Sequence, residues 1–442
     1  MRYRILAGLA WAGALSAAWG QIPEYIKAEK SDPWSNLFAR TQGWTGGDGI
    51  FAIPLTGYEG PDHATRHLFL FSDSFIGSVD SATGARRNTA LVNNTLAVLD
   101  GPDPDPAKVR FLWGKNAQGG ATAVFVPDLP STAGKKAWYW LQDGFYHKGN
   151  VYILPVVVEE NPSGPAGFKF KVSGIGLIRL PIGAEGEPDV AHYTQVETPL
   201  YYSSGKTFYY GCGIMSNTAE AGAPDPDGYV YVYGRPNLYV ARVQPDEFED
   251  FSKWRFWDGT DWSREISASA SLGLGGSELS VSPVTQGSLK GKYLMFSQGL
   301  EQNAFVRIGS SPRGPFSDRI NIYAAPEWHA PQASVYTYNA KAHPSLSSNG
   351  VWLVSYNVNT SDLSLNVANA DIYHPRFIKV RFDPPASVRR DAALSPAGRG
   401  GRMAHLWISG SESGTPLGWM RAADGAWRAA RMDGRAVLRV DP

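Results

Sequence analysis

Short strand-like segments recur from Trp44 to Phe382, separated by Gly, Pro, Asp and Asn turns, and they fall into five groups. The first holds residues 50–55, 67–75, 95–99 and 109–113; the second 138–141, 150–158 and 168–182; the third 209–215, 229–233, 238–243 and 254–257. The fourth holds 278–284, 292–297, 304–308 and 320–323, and the fifth 335–339, 351–358 and 376–382. Landmarks at the opening strands are Asp48, Asp143, Cys212, Glu278 and His343, so successive groups start 95, 69, 66 and 65 residues apart. A two-sheet sandwich carries no such repeat, whereas radial repetition requires it. The pattern predicts an all-β chain, a five-bladed β-propeller. A lone Trp257-Asp258 is not the repeated signature of many-bladed propellers, and no Ser-x-Asp-x-Gly box of sialidase propellers is visible.

What flanks the repeat reads differently. Residues 1–20 have the form of an export signal: Arg2 and Arg4, an apolar stretch from 5 to 19, and Ala18-Trp19-Gly20 as a small-x-small cleavage site. Residues 21–40 form a short lead-in with possible helices at 25–30 and 33–40, so the propeller is expected over 21–385. Residues 386–442, rich in Arg, Ala and Gly, form a C-terminal extension or complete the last blade. No other run approaches the roughly 20 apolar residues a membrane span needs. The expectation is an exported bacterial monomer, periplasmic or extracellular.

Lys plus Arg and Asp plus Glu both number 41; without Arg2 and Arg4 the balance is 39 against 41, a net charge of −2. A nucleic-acid partner is therefore not expected. Cys212 is the only cysteine, which excludes an intramolecular disulfide and a cysteine metal site. Its expected place is the apolar interior. No P-loop, dinucleotide fingerprint or serine elbow appears, so no cofactor is expected. His63 and His67 have the spacing of a helical zinc pair, but they lie in a loop that enters a strand. No glutamate follows His63, so no metal is expected there.

Candidate chemistry concentrates in the first group. Asp48 sits in Gly46-Gly47-Asp48-Gly49, where glycines permit unusual backbone and leave room for a ligand. Asp73 interrupts an apolar and aromatic run, where an ionised carboxylate costs free energy unless it is paired. Adjacent strands delivering two carboxyls to one place is what acid/base cleavage of a glycosidic bond requires. Asp73, in the apolar strand, is expected to be the proton donor, and Asp48 the base or nucleophile. In a propeller the inner strands converge on an axial channel. Glu278, His343 and Asn357, with Asn359 following, are therefore expected to line the same site. Asp143 has the look of a hairpin-turn residue that could join them, and Asp225 and Asp227 of outer-loop residues. The aromatic runs 138–140, 201–202 and 209–210 suit either interblade core or stacking on sugar faces, with Trp140 a binding candidate.

At these residues the chain resembles a group of secreted bacterial propellers long known only as a domain of unknown function and related to endo-D-arabinanases. The resemblance rests on Gly46-Gly47-Asp48-Gly49 with Phe71-Ser72-Asp73, on residues 140–152, and on Asp227-Gly228-Tyr229-Val230-Tyr231. It continues in Lys341-Ala342-His343-Pro344-Ser345-Leu346 and Val354-Ser355-Tyr356-Asn357-Val358-Asn359, and covers about residues 40–385. It implies five blades, Asp48 and Asp73 at paired catalytic positions, and an arabinofuranose polymer as substrate. A propeller that binds polysaccharide without cleaving it is the alternative expectation.

Overall fold

The computed structural model describes residues 22–61, 66–164, 169–328, 335–348 and 350–383, together with four short strands beyond residue 406. The expected export signal and His63 lie outside the described residues. Five antiparallel sheets make a five-bladed β-propeller. Blade 1 orders Gln42–Pro54, Arg66–Val79, Thr95–Asp100 and Val109–Leu112, with Arg86–Val92 also paired to Arg66–Val79. Blade 2 runs Gly144–His147, Asn150–Ile153, Phe170–Pro181, Val156–Glu160 and Ala137–Trp140. Blade 3 is built on Lys206–Asn217, Tyr229–Arg235 and Tyr239–Val243, with Tyr201–Ser204 on one edge and Arg255–Trp257 and Trp262–Ser263 on the other. Blade 4 has Leu279–Pro283, Tyr293–Ser297, Asn303–Gly309 and Ile320–Ala324.

Blade 5 is composite. Val335–Ala342, Trp352–Thr360 and Arg376–Phe382 supply three strands, and the fourth is Ile26–Lys30 from the other end of the chain, paired antiparallel with Ile26 opposite Phe382. Residues 25–30 are thus largely a strand where a helix was expected; edge pairing with blade 5 overrides a weak local preference. The expected second helix is present as Asp32–Leu37, started by Pro33 in its first turn and burying Trp34 and Leu37. Beyond residue 393 the chain forms a separate unit. Its strands Trp407–Ser409, Leu417–Arg421, Trp427–Arg431 and Arg439–Val440 pair in that order in a small antiparallel sheet.

The core is divided as the ring is. Each of the five interblade junctions holds its own apolar cluster, for example Leu70, Val98, Tyr139 and Ile178 between blades 1 and 2. Between blades 3 and 4 it is Cys212, Tyr233, Leu279 and Met295. At the junction of blades 5 and 1 the short helix wedges in, and Phe38 stacks on Phe377 with ring centroids 5.5 Å apart. Sheet faces bury their side chains against the neighbouring blade, so the strands read as nearly continuous apolar runs. Gln42–Pro54, Gly144–His147, Lys206–Asn217, Leu279–Pro283 and Val335–Ala342 lie innermost, each beside the next around the axis.

Candidate functional site

The Gln42–Pro54 strand does not pair regularly with Arg66–Val79. The register slips between Trp44 and Gly46, between Gly47 and Gly49, and between Gly49 and Phe51. Gly47 faces Ser74 and Gly49 faces Phe71, so Asp48 stands opposite Ser72 and Asp73 in a bulge. This irregular backbone turns both carboxyls toward one place. Two features of the sequence make it possible. Gly49 has φ +83°, and a Cβ on Gly46 would come within 2.2 Å of the Tyr373 carbonyl oxygen.

Asp48 and Asp73 are only partly accessible, yet each is deeply enclosed by protein. Burial comes first in raising the Asp48 carboxyl, to about 8, reinforced by the nearby Asp73 and Glu278 carboxyls. The Tyr338 hydroxyl and, less strongly, Tyr373 oppose the rise. The Tyr338 hydroxyl donates to Asp48 Oδ2 at 2.6 Å, while Asp48 Oδ1 is buried without a hydrogen-bond partner among the described residues. Asp73 is raised less, to about 6, again by burial. Its Oδ1 accepts from Trp140 Nε1 at 2.9 Å and Asn93 Nδ2 at 3.1 Å, and both bonds favour the anion. The two carboxyls titrate as a coupled pair, both raised above the ordinary carboxylate range. Asp73 interrupts an apolar strand, but two N–H groups reach its oxygen across the blade. Asp48 sits nearer the other carboxyls.

Further groups complete this end of the channel. Asn359 Nδ2 donates to the Tyr338 hydroxyl at 3.2 Å, and Asn366 Nδ2 to Asn359 Oδ1 at 3.0 Å, a chain of bonds that orients Tyr338. Asn357 lies across the ladder from Tyr338, and both its side-chain polar atoms are buried without partners among the described residues. Glu278 is an ion-pair partner of the buried Lys341, 2.6 Å away, and Lys341 also donates to the Gly49 carbonyl. Lys341 therefore ties blades 4, 5 and 1 together directly beside Asp48.

Not every expected residue meets this pair. His343 is buried, bonds Ser355 Oγ through Nε2 at 2.8 Å, and lines a small cavity of about 50 Å³ with Glu59, Asp143, Tyr146 and Lys341. Burial and the Lys341 charge keep its imidazole neutral, well below its ordinary range. Asp143 is not a simple hairpin residue. Its oxygens accept from the amides of Gly144 at 2.8 Å and Ile214 at 2.7 Å, joining blade 2 to blade 3, and burial raises it to about 7. Trp140 is at the site, though it serves Asp73 through its indole N–H and packs edge-on to Phe170. Asp225 and Asp227 lie in an exposed loop, as expected. Cys212 is fully buried and its thiol is pushed up to about 12, which leaves it unreactive.

Sequence reasoning did not single out Tyr338, Tyr373, Asn93, Lys341 or Glu59. Glu59 accepts twice from the Ser216 amide, at 3.1 and 3.2 Å, and burial lifts it to about 8. A lysine near the end of a largely buried strand was the one signal available for Lys341. Among the described residues no group of three or more His, Cys, Asp or Glu side chains is arranged to hold a metal ion. No described helix is long and apolar enough to cross a membrane.

Comparison with known proteins bears on the fold. A Bacteroides ovatus protein provisionally described as a hydrolase has a crystal structure matching with TM-score 0.61 at 22% identity, over 80% of this chain and 90% of that one. At that identity the likeness establishes shared architecture. An engineered GH43 glycoside hydrolase with endo-xylanase and exo-arabinofuranosidase activity gives TM-score 0.35 at 11% identity, over 93% of this chain and 55% of that one. The Trypanosoma rangeli sialidase gives 0.31 at 10% identity, over 88% and 65%. Neither is close enough in shape to argue from. No curated protein matches the chain. The model of one family, Domain of unknown function (DUF5005), matches residues 32–389, which takes in all of the ring but the Ile26–Lys30 strand, and the chain belongs to that family.

Proposed function

We propose that this chain is a glycoside hydrolase that cleaves a furanose-containing polysaccharide of the D-arabinan type, with Asp48 and Asp73 as its catalytic carboxyls. The observation that carries the reading is the bulge that sets the two carboxyls opposite each other, enclosed but partly open, with proton affinities driven apart by their surroundings. Asp48 is the proton donor: it holds its proton near neutrality, and Oδ1 has no other partner to satisfy. Asp73 is the carboxylate, kept anionic by Trp140 and Asn93. As the glycosidic C–O bond breaks, the Asp48 proton passes to the leaving oxygen. Asp73 either bonds to the anomeric carbon or takes a proton from an attacking water. Asn357, buried across the ladder from Tyr338, lies behind the pocket, and Trp140 and Glu278 shape it.

The test is incubation with arabinan, arabinogalactan, fructan and arabinoxylan, scoring new reducing ends for wild type, Asp48→Asn and Asp73→Asn. Release by wild type that each substitution cuts by about 10²–10⁴, with the fold intact, supports the reading. Wild type that binds a glycan but releases nothing is a binding propeller, and the enzyme reading is then wrong. The anomer first formed, read by NMR, separates retention from inversion. The same proposal treats residues 1–20 as a cleaved export signal, which N-terminal sequencing of the mature protein checks.

A further inference from the structure

Arg86 is a buried cation, 1% exposed, and the bonds of its guanidinium run to an amide-rich cage and a threonine hydroxyl. Nη2 donates to the carbonyl oxygens of Thr45 at 2.8 Å, Ile372 at 3.0 Å and Ala370 at 3.3 Å. Nη1 donates to the Asn366 carbonyl, and Nε to Thr45 Oγ1 at 3.3 Å. The group lies over the Phe75 ring, 4.6 Å from its centroid. Burying a guanidinium is costly, and fixed backbone acceptors on two segments are what offsets the cost.

Those two segments meet at Asp48. Thr45 lies three residues before it on the same strand. The segment from Asn366 to Tyr373 delivers Tyr373, whose side chain lies beside the Asp48 carboxyl and favours its ionised form. Tyr373 has φ +70°, a strained conformation for an aromatic residue, so something must hold it there. Two bonds from Arg86 fall just before it, at Ala370 and Ile372. The same guanidinium also grips Asn366, whose side chain orients Asn359 and through it Tyr338, which donates to Asp48.

We propose that Arg86 is a positioning residue: it staples the 366–373 segment to the strand carrying Asp48 and so holds the two tyrosines beside that carboxyl. The idea rests on the functional reading for its catalytic meaning. Arg86 touches neither the reacting carboxyl nor the space beside it; it acts through Tyr373 and Tyr338. Lysine keeps the charge but offers one point donor in place of a planar fork, so it cannot span both segments.

The test is a ¹³C titration of aspartate carboxyls in the full-length chain, with the Asp48 signal assigned by its loss in Asp48→Asn. Tyrosine hydroxyls stabilise the ionised carboxyl, so Tyr373→Phe should move the Asp48 midpoint upward by about one pH unit. Arg86→Lys should move it in the same direction, and the double variant should go little further than the larger single shift. Where Arg86→Lys does not fold, Phe75→Leu serves: it removes the ring under the guanidinium and against Tyr373, 5.3 Å away. An Arg86→Lys or Phe75→Leu protein that is less stable but leaves the midpoint unmoved, or shifts that simply add to those of Tyr373→Phe, would overturn the proposal. The titration needs no substrate, so a wild type inactive on every glycan sinks the hydrolase reading and leaves this one to be decided by the midpoint. Where activity is present, the alkaline limb of the pH–rate profile should follow the same shifts.

Discussion

Asp48→Asn should abolish turnover and, at alkaline pH, make the protein more stable. In the unfolded chain Asp48 titrates near its ordinary 3.8; in the fold, burial and the neighbouring Asp73 and Glu278 carboxyls lift it to about 8. Below pH 4 both states hold the proton and the residue has no net effect. Between pH 4 and 8 the native state binds more protons than the unfolded one, so stability falls as pH rises, and above 8 the loss is complete. Each pH unit of displacement corresponds to about 1.4 kcal/mol. The full interval is a ceiling, because water reaches the carboxyl from the channel and part of the rise belongs jointly to Asp73; on the order of 3 kcal/mol at pH 9 is the working figure. Asparagine keeps an oxygen for the Tyr338 hydroxyl, carries no charge, and turns an N–H₂ group toward its neighbours. Urea unfolding of both proteins at pH 4, 7 and 9 should therefore give nearly equal stability at pH 4 and an Asn variant ahead by a few kcal/mol at pH 9. A difference independent of pH, or a wild type ahead at pH 9, would refute this electrostatic account of the site.

Other perturbations follow from the same geometry. Trp140→Phe removes one of the two N–H donors to Asp73 Oδ1, so the acid limb of the pH–rate profile should move upward and kcat fall about tenfold, with the glycan affinity measured by calorimetry little changed. Lys341→Met strands the Glu278 carboxylate and the Gly49 carbonyl, and denaturant unfolding at pH 7 should register a loss of about 3–5 kcal/mol. Glu59→Gln keeps acceptance from Ser216 while removing a carboxyl raised to about 8, so thermal unfolding should show a stability gain at pH 9 that disappears at pH 4. Gly46→Ala drives a methyl group into the Tyr373 carbonyl, which is backbone and cannot step aside; a lowered melting temperature and an upward shift of the alkaline pH limb should appear together.

The ring was legible because its spacing is written into the chain: five apolar groups at near-constant intervals have few other ways to bury their faces. The acidic pair was legible for a related reason, since glycines around Asp48 and an acid inside an apolar strand are local departures from pattern. What surrounds the pair was not. Tyr338, Lys341 and Tyr373 come from blade 5, 290 to 325 residues further along the chain than Asp48, and a tyrosine looks the same whether it fills a core or orients a carboxyl. The hydrogen bonding of Asp73 was hidden for the same cause, because the N–H groups of Asn93 and Trp140 reach it only once the blades are in place. Asp143 looked like a turn residue because Asp-Gly is a turn signal; the amide of Ile214, more than 70 residues away, gives it another task.

The first strand made, Ile26–Lys30, finds its partner in Arg376–Phe382, nearly the last stretch of the ring to leave the ribosome. The circle therefore cannot lock until Arg376–Phe382 has been made, and a nascent chain stays open until then. The described chain enters the ring through the outer edge strand of the fifth blade. A purification tag or fusion placed ahead of that strand would leave the hub untouched, whereas trimming the strand itself would unfasten the ring.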